Sequence, residues 1–166
     1  MGRGGAVPVP SDAKKGVAIR ELSPSTFELV GVMDEFADLS PMLQAAAPLR
    51  MKMGRVLRFN SIGIRNLMKF LKQWNKGDYE FIDCPVEFVD QVEMIPNILK
   101  MSGKGRISSC RAPFTCSSCG HEDELLVSEA ELNNAKAKNT KPEKTCSQCR
   151  ASMTVLAEGF FSFLNA

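Results

Sequence analysis

Hydrophobic and polar positions form their clearest pattern in the segment 50–76. Two methionines alternate with Arg50 and Lys52, which predicts a strand that breaks at Gly54, and a second extended piece follows at 56–59. After the polar turn 60–63, apolar residues recur at helical spacing and predict an α-helix that Gly77 ends. The apolar stripe of this helix consists of Ile64, Leu67, Met68 and Leu71, widened by Phe70 and Trp74. The segment is therefore expected to form a strand, a tight polar turn and an amphipathic helix.

The segments on either side predict further strands and helices. Alternating patterns predict strands at 17–22 and 26–33, and turn and capping residues predict short helical stretches at 34–39 and 41–47. A short apolar strand at 79–82 precedes a helix that starts at Pro85 and ends before Pro96, and a last strand is expected at 105–113. This order predicts an α/β fold, in which helices pack on a mixed β-sheet.

This element order, together with the sequence Asn-Ser-Ile-Gly at 60–63, resembles a STAS domain, the fold of anti-sigma-factor antagonists. In that family a strand leads into the loop Asp-Ser-Ser/Thr-Gly, which opens a helix, and a partner kinase phosphorylates the serine. The resemblance spans roughly residues 17–110, with Asn60 in place of the family's aspartate and Lys52 in place of the acid of the strand. It implies a STAS-like sheet that binds a kinase or an anti-sigma-like protein. The implied phosphorylation and partner-binding residues are Asn60, Ser61, Gly63, Arg65 and Lys69.

Ser61 also has a purely structural interpretation. Its hydroxyl can accept a hydrogen bond from a free N–H group at the start of the helix, as capping serines do. The same helix end favours negative charge, which would stabilise a phosphate there. Both roles are compatible with the sequence.

Four of the six cysteines form two C-x-x-C pairs, Cys116 with Cys119 and Cys146 with Cys149. Two such turns can complete a tetrahedral shell of sulfur, which suits Zn²⁺ at about 2.3 Å per bond. We therefore predict a structural zinc in a ribbon spanning 112–166, with no open position for catalysis. Two redox pairs or two disulfides are the alternatives, and His121 is an alternative ligand. Cys84 and Cys110 are expected to be small core residues.

Composition limits the other possibilities. The chain has 166 residues, 44% of them hydrophobic, and a net charge of +2, which is ordinary for a globular protein with one domain and a small appendage. No apolar run approaches the roughly 18 residues of a membrane span. Paired cysteines read as metal ligands indicate a reducing compartment, hence the cytoplasm. The expected organisation is a disordered tail at 1–15, a STAS-like domain at 16–111 and the zinc ribbon at 112–166.

Charge is segregated along the chain. No carboxylate lies between Asp38 and Asp78, whereas the segment 78–93 is acidic. The basic residues of the first interval are Arg50, Lys52, Arg55, Arg58, Arg65, Lys69, Lys72 and Lys76. These residues form either a solvated face or a patch that recognises an acidic protein, a phosphorylated ligand or nucleic acid. The neighbouring basic and acidic segments also suggest a homodimer.

These observations favour a non-enzymatic protein-binding module that acts as a signalling or regulatory adaptor. Nucleic-acid binding through the basic segment 50–76 is the alternative. An enzyme is not expected, because the single histidine follows Cys119-Gly120 with no apparent Ser-His-Asp set, and neither a phosphate-binding glycine motif nor an open metal site is present. The very apolar segment 159–164 is expected to pack on the ribbon or on the sheet, with docking of a partner or a second copy as the alternative.

Overall fold

The computed structural model describes residues 15–165, so the tail predicted at 1–15 lies outside the described residues except for Lys15. Nine strands and three α-helices occur in this part of the chain. The strands are β1 (Val17–Ser23), β2 (Thr26–Met33), β3 (Leu49–Phe59), β4 (Tyr79–Ile82), β5 (Gly105–Ile107), β6 (Cys110–Cys116), β7 (Glu122–Val127), β8 (Lys144–Thr145) and β9 (Ser152–Val155). The helices are α1 (Ser61–Trp74), α2 (Val86–Met94) and α3 (Glu129–Lys138).

The first five strands form one mixed sheet in the order β1-β2-β3-β4-β5. Strand β1 is antiparallel to β2, and the remaining neighbours are parallel. Tyr79 and Phe81 lie two residues apart on β4, so they share a face of the sheet. Trp74 of α1 contacts Tyr79 and Phe88 of α2 contacts Phe81, so both helices cover that face. The predicted α/β architecture is confirmed at this level.

Several predicted boundaries differ from the structure. Strand β3 continues through Gly54, because pairing with β2 extends past it. The short helix predicted at 41–47 is only a 3-10 turn at Ser40–Met42. Helix α1 ends at Trp74, with Asn75 rather than Gly77 in the left-handed cap position. Tertiary contacts decide these ends, and local patterns locate them only to within a few residues.

The single strand predicted at 105–113 is two strands in two different sheets. Strand β5 completes the first sheet, and β6 starts the second, whose order is β7-β6-β9-β8 with antiparallel pairing throughout. An isolated parallel bridge between Cys84 and Cys110 joins the two sheets. Both cysteines are fully buried, so the prediction that they are core residues is confirmed.

Helix α3 links β7 to β8 and begins with a capping box, which the sequence Ser-Glu-Ala-Glu at 128–131 predicts. The hydroxyl of Ser128 accepts from the backbone N–H of Glu131, and the Glu131 carboxylate accepts from the backbone N–H of Ser128. The lysine- and asparagine-rich sequence at 133–144 predicts a mobile loop, but the helix extends to Lys138. Leu132 and Ala135 are buried under it, which explains why a lysine- and asparagine-rich stretch becomes helical.

The C-terminal segment packs onto the protein, as predicted. Phe160, Phe161 and Phe163 are buried and belong to the same apolar cluster as the residues of both sheets. The backbone N–H of Phe163 donates to Glu93 of α2 at 3.4 Å. The apolar core is thus continuous across the predicted boundary at 111/112, and the division into two domains stays a prediction. None of the helices in residues 15–165 is long and apolar enough to cross a membrane.

Candidate metal centre and the Ser61 surface

The two C-x-x-C segments form matching turns. The N–H of Gly120 donates to the carbonyl of Cys116 at 2.8 Å, and the N–H of Arg150 donates to the carbonyl of Cys146 at 2.9 Å. Gly120 and Arg150 both have positive φ, 74° and 64°, which turns the chain back after the second cysteine. After each turn the chain hydrogen-bonds back to the first cysteine of that turn. The carbonyl of His121 accepts from the N–H of Cys116, and the carbonyl of Ala151 accepts from the N–H of Cys146. Each turn therefore presents two thiols on the same side.

The four sulfur atoms lie within 4.8 Å of one another. Across the two turns, Cys116 Sγ lies 3.5 Å from Cys149 Sγ, and Cys119 Sγ lies 3.6 Å from Cys146 Sγ. A tetrahedral metal with bonds of about 2.3 Å requires sulfurs about 3.8 Å apart. The cluster therefore fits a tetrahedral thiolate site and has the geometry to hold one metal ion, as the cysteine spacing predicts. All six cysteines are free thiols, so disulfides are absent from the described residues.

The surroundings of the cluster shift the pKa values of Cys116 and Cys119 in opposite directions. The backbone N–H of Cys119 stabilises the Cys116 thiolate and helps to lower the pKa of Cys116 to about 6. The N–H of His121 stabilises the Cys119 thiolate, but desolvation and the neighbouring sulfurs outweigh it and raise the pKa of Cys119 to about 12. A metal must therefore displace a proton when it binds at neutral pH, so its affinity falls as the pH falls.

His121 is not part of the sulfur cluster. Its Nε2 atom lies 3.9 Å from Asp123 Oδ2, and its carbonyl accepts the N–H of Cys116. It therefore supports the first turn through its backbone. Cys84 and Cys110 also lie outside the cluster, and burial raises the pKa of both thiols, to about 12 for Cys110. High pKa and burial make these two thiols unreactive.

Ser61 is the first residue of α1 and is exposed. The cap of this helix is Asn60, whose Oδ1 atom accepts from the N–H of Gly63 at 2.8 Å. The hydroxyl of Ser61 is therefore not the capping group that one interpretation of the sequence assigns to it. An exposed hydroxyl at a helix N-terminus remains available for modification or for contact with a partner.

Gly63 has a steric reason to be glycine. A Cβ atom at this position would lie 1.9 Å from the carbonyl oxygen of Met33 at the end of β2. The start of α1 therefore rests directly on the end of a neighbouring strand. This contact fixes the position of the Ser61 turn relative to the sheet.

Glu35 is a carboxylate beside this turn that sequence analysis missed. Its Oε2 atom accepts from Asn60 Nδ2 at 3.0 Å, although the two residues are 25 positions apart. Backbone and Asn60 hydrogen bonds lower the pKa of Glu35. The contact between Glu35 and Asn60 depends on strand pairing and has no local pattern in the sequence. Strand β2 ends beside the end of β3, which brings the segment after Met33 to the turn.

The predicted basic segment 50–76 divides into two parts. Arg50 pairs with Glu80 at 2.8 Å and Arg55 with Glu28 at 3.9 Å on the sheet, so these charges are partly compensated. The exposed cations at the end of β3 and on α1 form no ion pair with other described residues. These cations are Arg58, Arg65, Lys69 and Lys72. With Ser61 and the exposed side chains of Phe36 and Ile62, they make up what we call the Ser61 surface.

Comparisons with models of protein families, with curated protein sequences and with solved structures find no match to this chain. The chain is therefore described by its own geometry: a mixed α/β sheet, a second antiparallel sheet and a cluster of four cysteines that can hold a metal ion.

Proposed function

We propose that this protein is a non-enzymatic protein-binding module, a STAS-like domain with a structural zinc ribbon, that acts as a regulatory adaptor in the cytoplasm. The observation that carries this proposal is the exposed hydroxyl of Ser61 at the start of a helix whose outer face is basic and unpaired. The resemblance of the 60–63 turn to the STAS loop supports a kinase or an anti-sigma-like protein as the partner class.

The Ser61 surface combines the features of a recognition site for an acidic protein. Phe36 is 53% exposed and Ile62 is 45% exposed, so each offers apolar area beside the turn. Arg65 and Lys69 lie one turn apart on the solvent side of α1, and no described carboxylate neutralises them. Exposed apolar anchors surrounded by complementary charge provide affinity and orientation, respectively.

Phosphorylation of Ser61 would change this surface directly. A phosphate adds a charge of about −2 at the positive end of α1, where it is favoured, and it lies close in sequence to Arg58 and Arg65. Glu35 opposes it by like-charge repulsion. The modification would therefore cancel most of the positive charge of the Ser61 surface and weaken its affinity for an acidic partner.

Zinc is the metal that the cluster favours, because four thiolates in a tetrahedron match its preferred ligands and geometry. Four protein ligands leave no position for substrate, and His121 faces Asp123 rather than a serine, which supports a structural role. Elemental analysis of the purified protein should give one zinc per chain. A protein that folds fully without any metal would exclude this assignment.

The protein-binding function is tested by quantitative affinity capture from the cells that produce the protein. We expect a specific partner to be retained by wild type and lost with Lys69→Glu, because charge reversal acts on the recognition surface. Ser61→Asp should weaken capture and Ser61→Ala should leave it unchanged. Lys138→Glu, an exposed lysine on α3, is the matched control and should retain the partner. Identical capture by all variants would refute the role of the Ser61 surface.

Nucleic-acid binding is the second candidate, and the unpaired cations of the Ser61 surface favour it. Binding to phosphates releases counterions, so the affinity would fall steeply as salt rises. A gel shift at two salt concentrations with wild type and with Lys69→Glu separates the candidates. A salt-dependent shift that the variant abolishes would support nucleic acid, whereas no shift would remove this alternative.

A further inference from the structure

A groove of about 510 Å³ lies between the edge of the first sheet and the ribbon helix α3. Strands β4 and β5 and the loop before β5 line one side. Residues of α3 and of the C-terminal segment, among them Leu132, Lys136 and Phe163, line the other side. Its volume is in the range of small-molecule sites.

A carboxylate that is 8% exposed, Glu80, holds two arginines in this groove. Its Oε1 atom lies 2.8 Å from Arg50 Nε and its Oε2 atom lies 2.6 Å from Arg106 Nη2. The three residues are direct neighbours on β3, β4 and β5. Glu129 of α3 also forms an ion pair with Arg106, with its Oε1 atom 2.9 Å from Arg106 Nη2. About half of each arginine side chain remains exposed, so both guanidinium groups are held in place by Glu80 and still have N–H donors that can bind a ligand.

The charge of the groove is positive even after these ion pairs. Among the described residues, five cationic side chains line it, and three carboxylates lie in it or contact it. The cations are Arg50, Lys100, Lys104, Arg106 and Lys136, and the carboxylates are Asp78, Glu80 and Glu129. The three lysines are exposed and form no ion pair within residues 15–165. Two positive charges therefore remain, which matches the charge of a phosphate monoester.

Apolar side chains line the same groove beside the cations. Leu99, Leu132 and Phe163 contribute to the lining, although each is mostly buried. A site of this composition suits a ligand with an anionic group and an apolar body, because the cations bind the first and the apolar wall accommodates the second.

We propose that this groove binds a small organic phosphate monoester, with the phosphate at Arg50, Arg106 and the neighbouring lysines. The site is separate from the Ser61 surface, because α1 covers the face of the sheet opposite to Arg50 and Glu80. It goes beyond the proposed adaptor function and does not depend on it. Helix α3 lies in the chain between the two cysteine turns, so one wall of the groove depends on the metal centre.

The probe is phenyl phosphate, titrated into the metal-loaded full-length protein at low salt by isothermal calorimetry. We expect it to bind more tightly than inorganic phosphate, which lacks the apolar body, and than benzyl alcohol, which lacks the charge. The double variant Lys104→Gln/Lys136→Gln should bind about tenfold more weakly, because two charge-assisted contacts are removed. Neither lysine forms an ion pair with another residue of the described range 15–165, so the melting temperature should stay at the wild-type value.

Lys72→Gln is the matched control, since Lys72 is an exposed lysine on α1, on the opposite face of the sheet. It should bind phenyl phosphate as wild type does. Absence of binding, equal affinity of wild type and the double variant, or equal weakening by Lys72→Gln would overturn the site. Inorganic phosphate binding as tightly as phenyl phosphate would overturn its assignment to an organic ligand.

Discussion

The two sheets of this protein are stabilised in different ways. The first sheet buries large side chains between its strands and two helices, with Phe81 and Phe88 in contact at 4.7 Å between ring centroids. The second sheet has short strands, two of them at most four residues long, and its centre is the sulfur cluster. A sheet this small buries little apolar area of its own, so a metal bound at the cluster would add free energy of folding that packing does not supply.

This difference predicts which sheet is destabilised by loss of side-chain packing and which by loss of a bound metal. Loss of packing should destabilise the first sheet and everything attached to it. Loss of the metal should destabilise the ribbon first, because its two cysteine turns converge on the sulfur cluster. The C-terminal phenylalanines connect the two, since they pack between α2 and α3 and share the core of both sheets.

Removal of the metal has the largest expected effect. In small zinc domains the metal contributes about 10 kcal/mol or more to folding, so a chelator or Cys149→Ser should unfold the ribbon. Hydrogen exchange should then rise in residues 116–155 and stay low in β2, β3 and β4. Cys149 is exposed, so the serine variant removes a ligand without removing core volume.

Ser147→Ala is the control for the metal experiment, because Ser147 lies in the same turn and contributes no ligand atom. It should bind the metal with wild-type stoichiometry and keep the exchange pattern. Unchanged protection of the ribbon in the chelated protein would contradict the contrast between the two sheets.

Phe88→Ala should have the next largest effect, on the first sheet. Phe88 is fully buried and contacts Phe59 and Phe81, so its truncation leaves a cavity that costs about 3–5 kcal/mol of unfolding free energy. Urea denaturation measures the loss. Met94→Ala on the same helix is the control, because Met94 is 74% exposed and should change stability by less than about 0.5 kcal/mol.

Gly63→Ala tests the contact between α1 and β2. The added methyl group would lie 1.9 Å from the Met33 carbonyl oxygen, so the helix start must move, at a cost of about 1–3 kcal/mol. Ile62→Ala, at the neighbouring exposed position, should stay close to wild type. A Gly63→Ala protein with unchanged denaturation midpoint would show that the Ser61 turn does not rest on the sheet.

Glu131→Gln gives the smallest expected effect and a pH signature confined to the ribbon. Partial burial works against the charge of Glu131, but Lys144 and Ser128 outweigh it and lower the pKa of this carboxyl. A lowered pKa stabilises the folded state above the ordinary glutamate pKa of about 4.3, and this stabilisation is lost as the pH falls through the folded value.

Wild type should therefore be more stable than Glu131→Gln by up to about 1 kcal/mol at neutral pH. The difference should disappear in acid, which thermal melts at several pH values would detect. Glu124→Gln, at an exposed position on β7 with no described ion pair, is the matched control and should keep the wild-type melting temperature at neutral pH. A constant difference at all pH values would contradict the role of the Glu131 charge.

Local patterns in the sequence predict the parts of this protein that depend on residues close along the chain. The helical stripe from Ile64 to Trp74 identifies α1, and the Ser128–Glu131 pair identifies the start of α3. The spacing of the cysteines identifies the four thiols that come together, because two C-x-x-C turns can converge on one tetrahedral cluster that could hold a metal ion. These features follow from helix periodicity, capping and metal geometry, which act over a few residues.

The tertiary structure decided the features that join distant residues. It divided the segment 105–113 between two sheets, brought Glu35 to Asn60, and aligned Arg50, Glu80 and Arg106 across three strands. Strand order and register determine such neighbours, and neither is encoded in the period of a single segment. The sequence alone determined which local elements form and which atoms can bind a metal, whereas strand pairing determined which charges meet, because only pairing places residues tens of positions apart within hydrogen-bond distance.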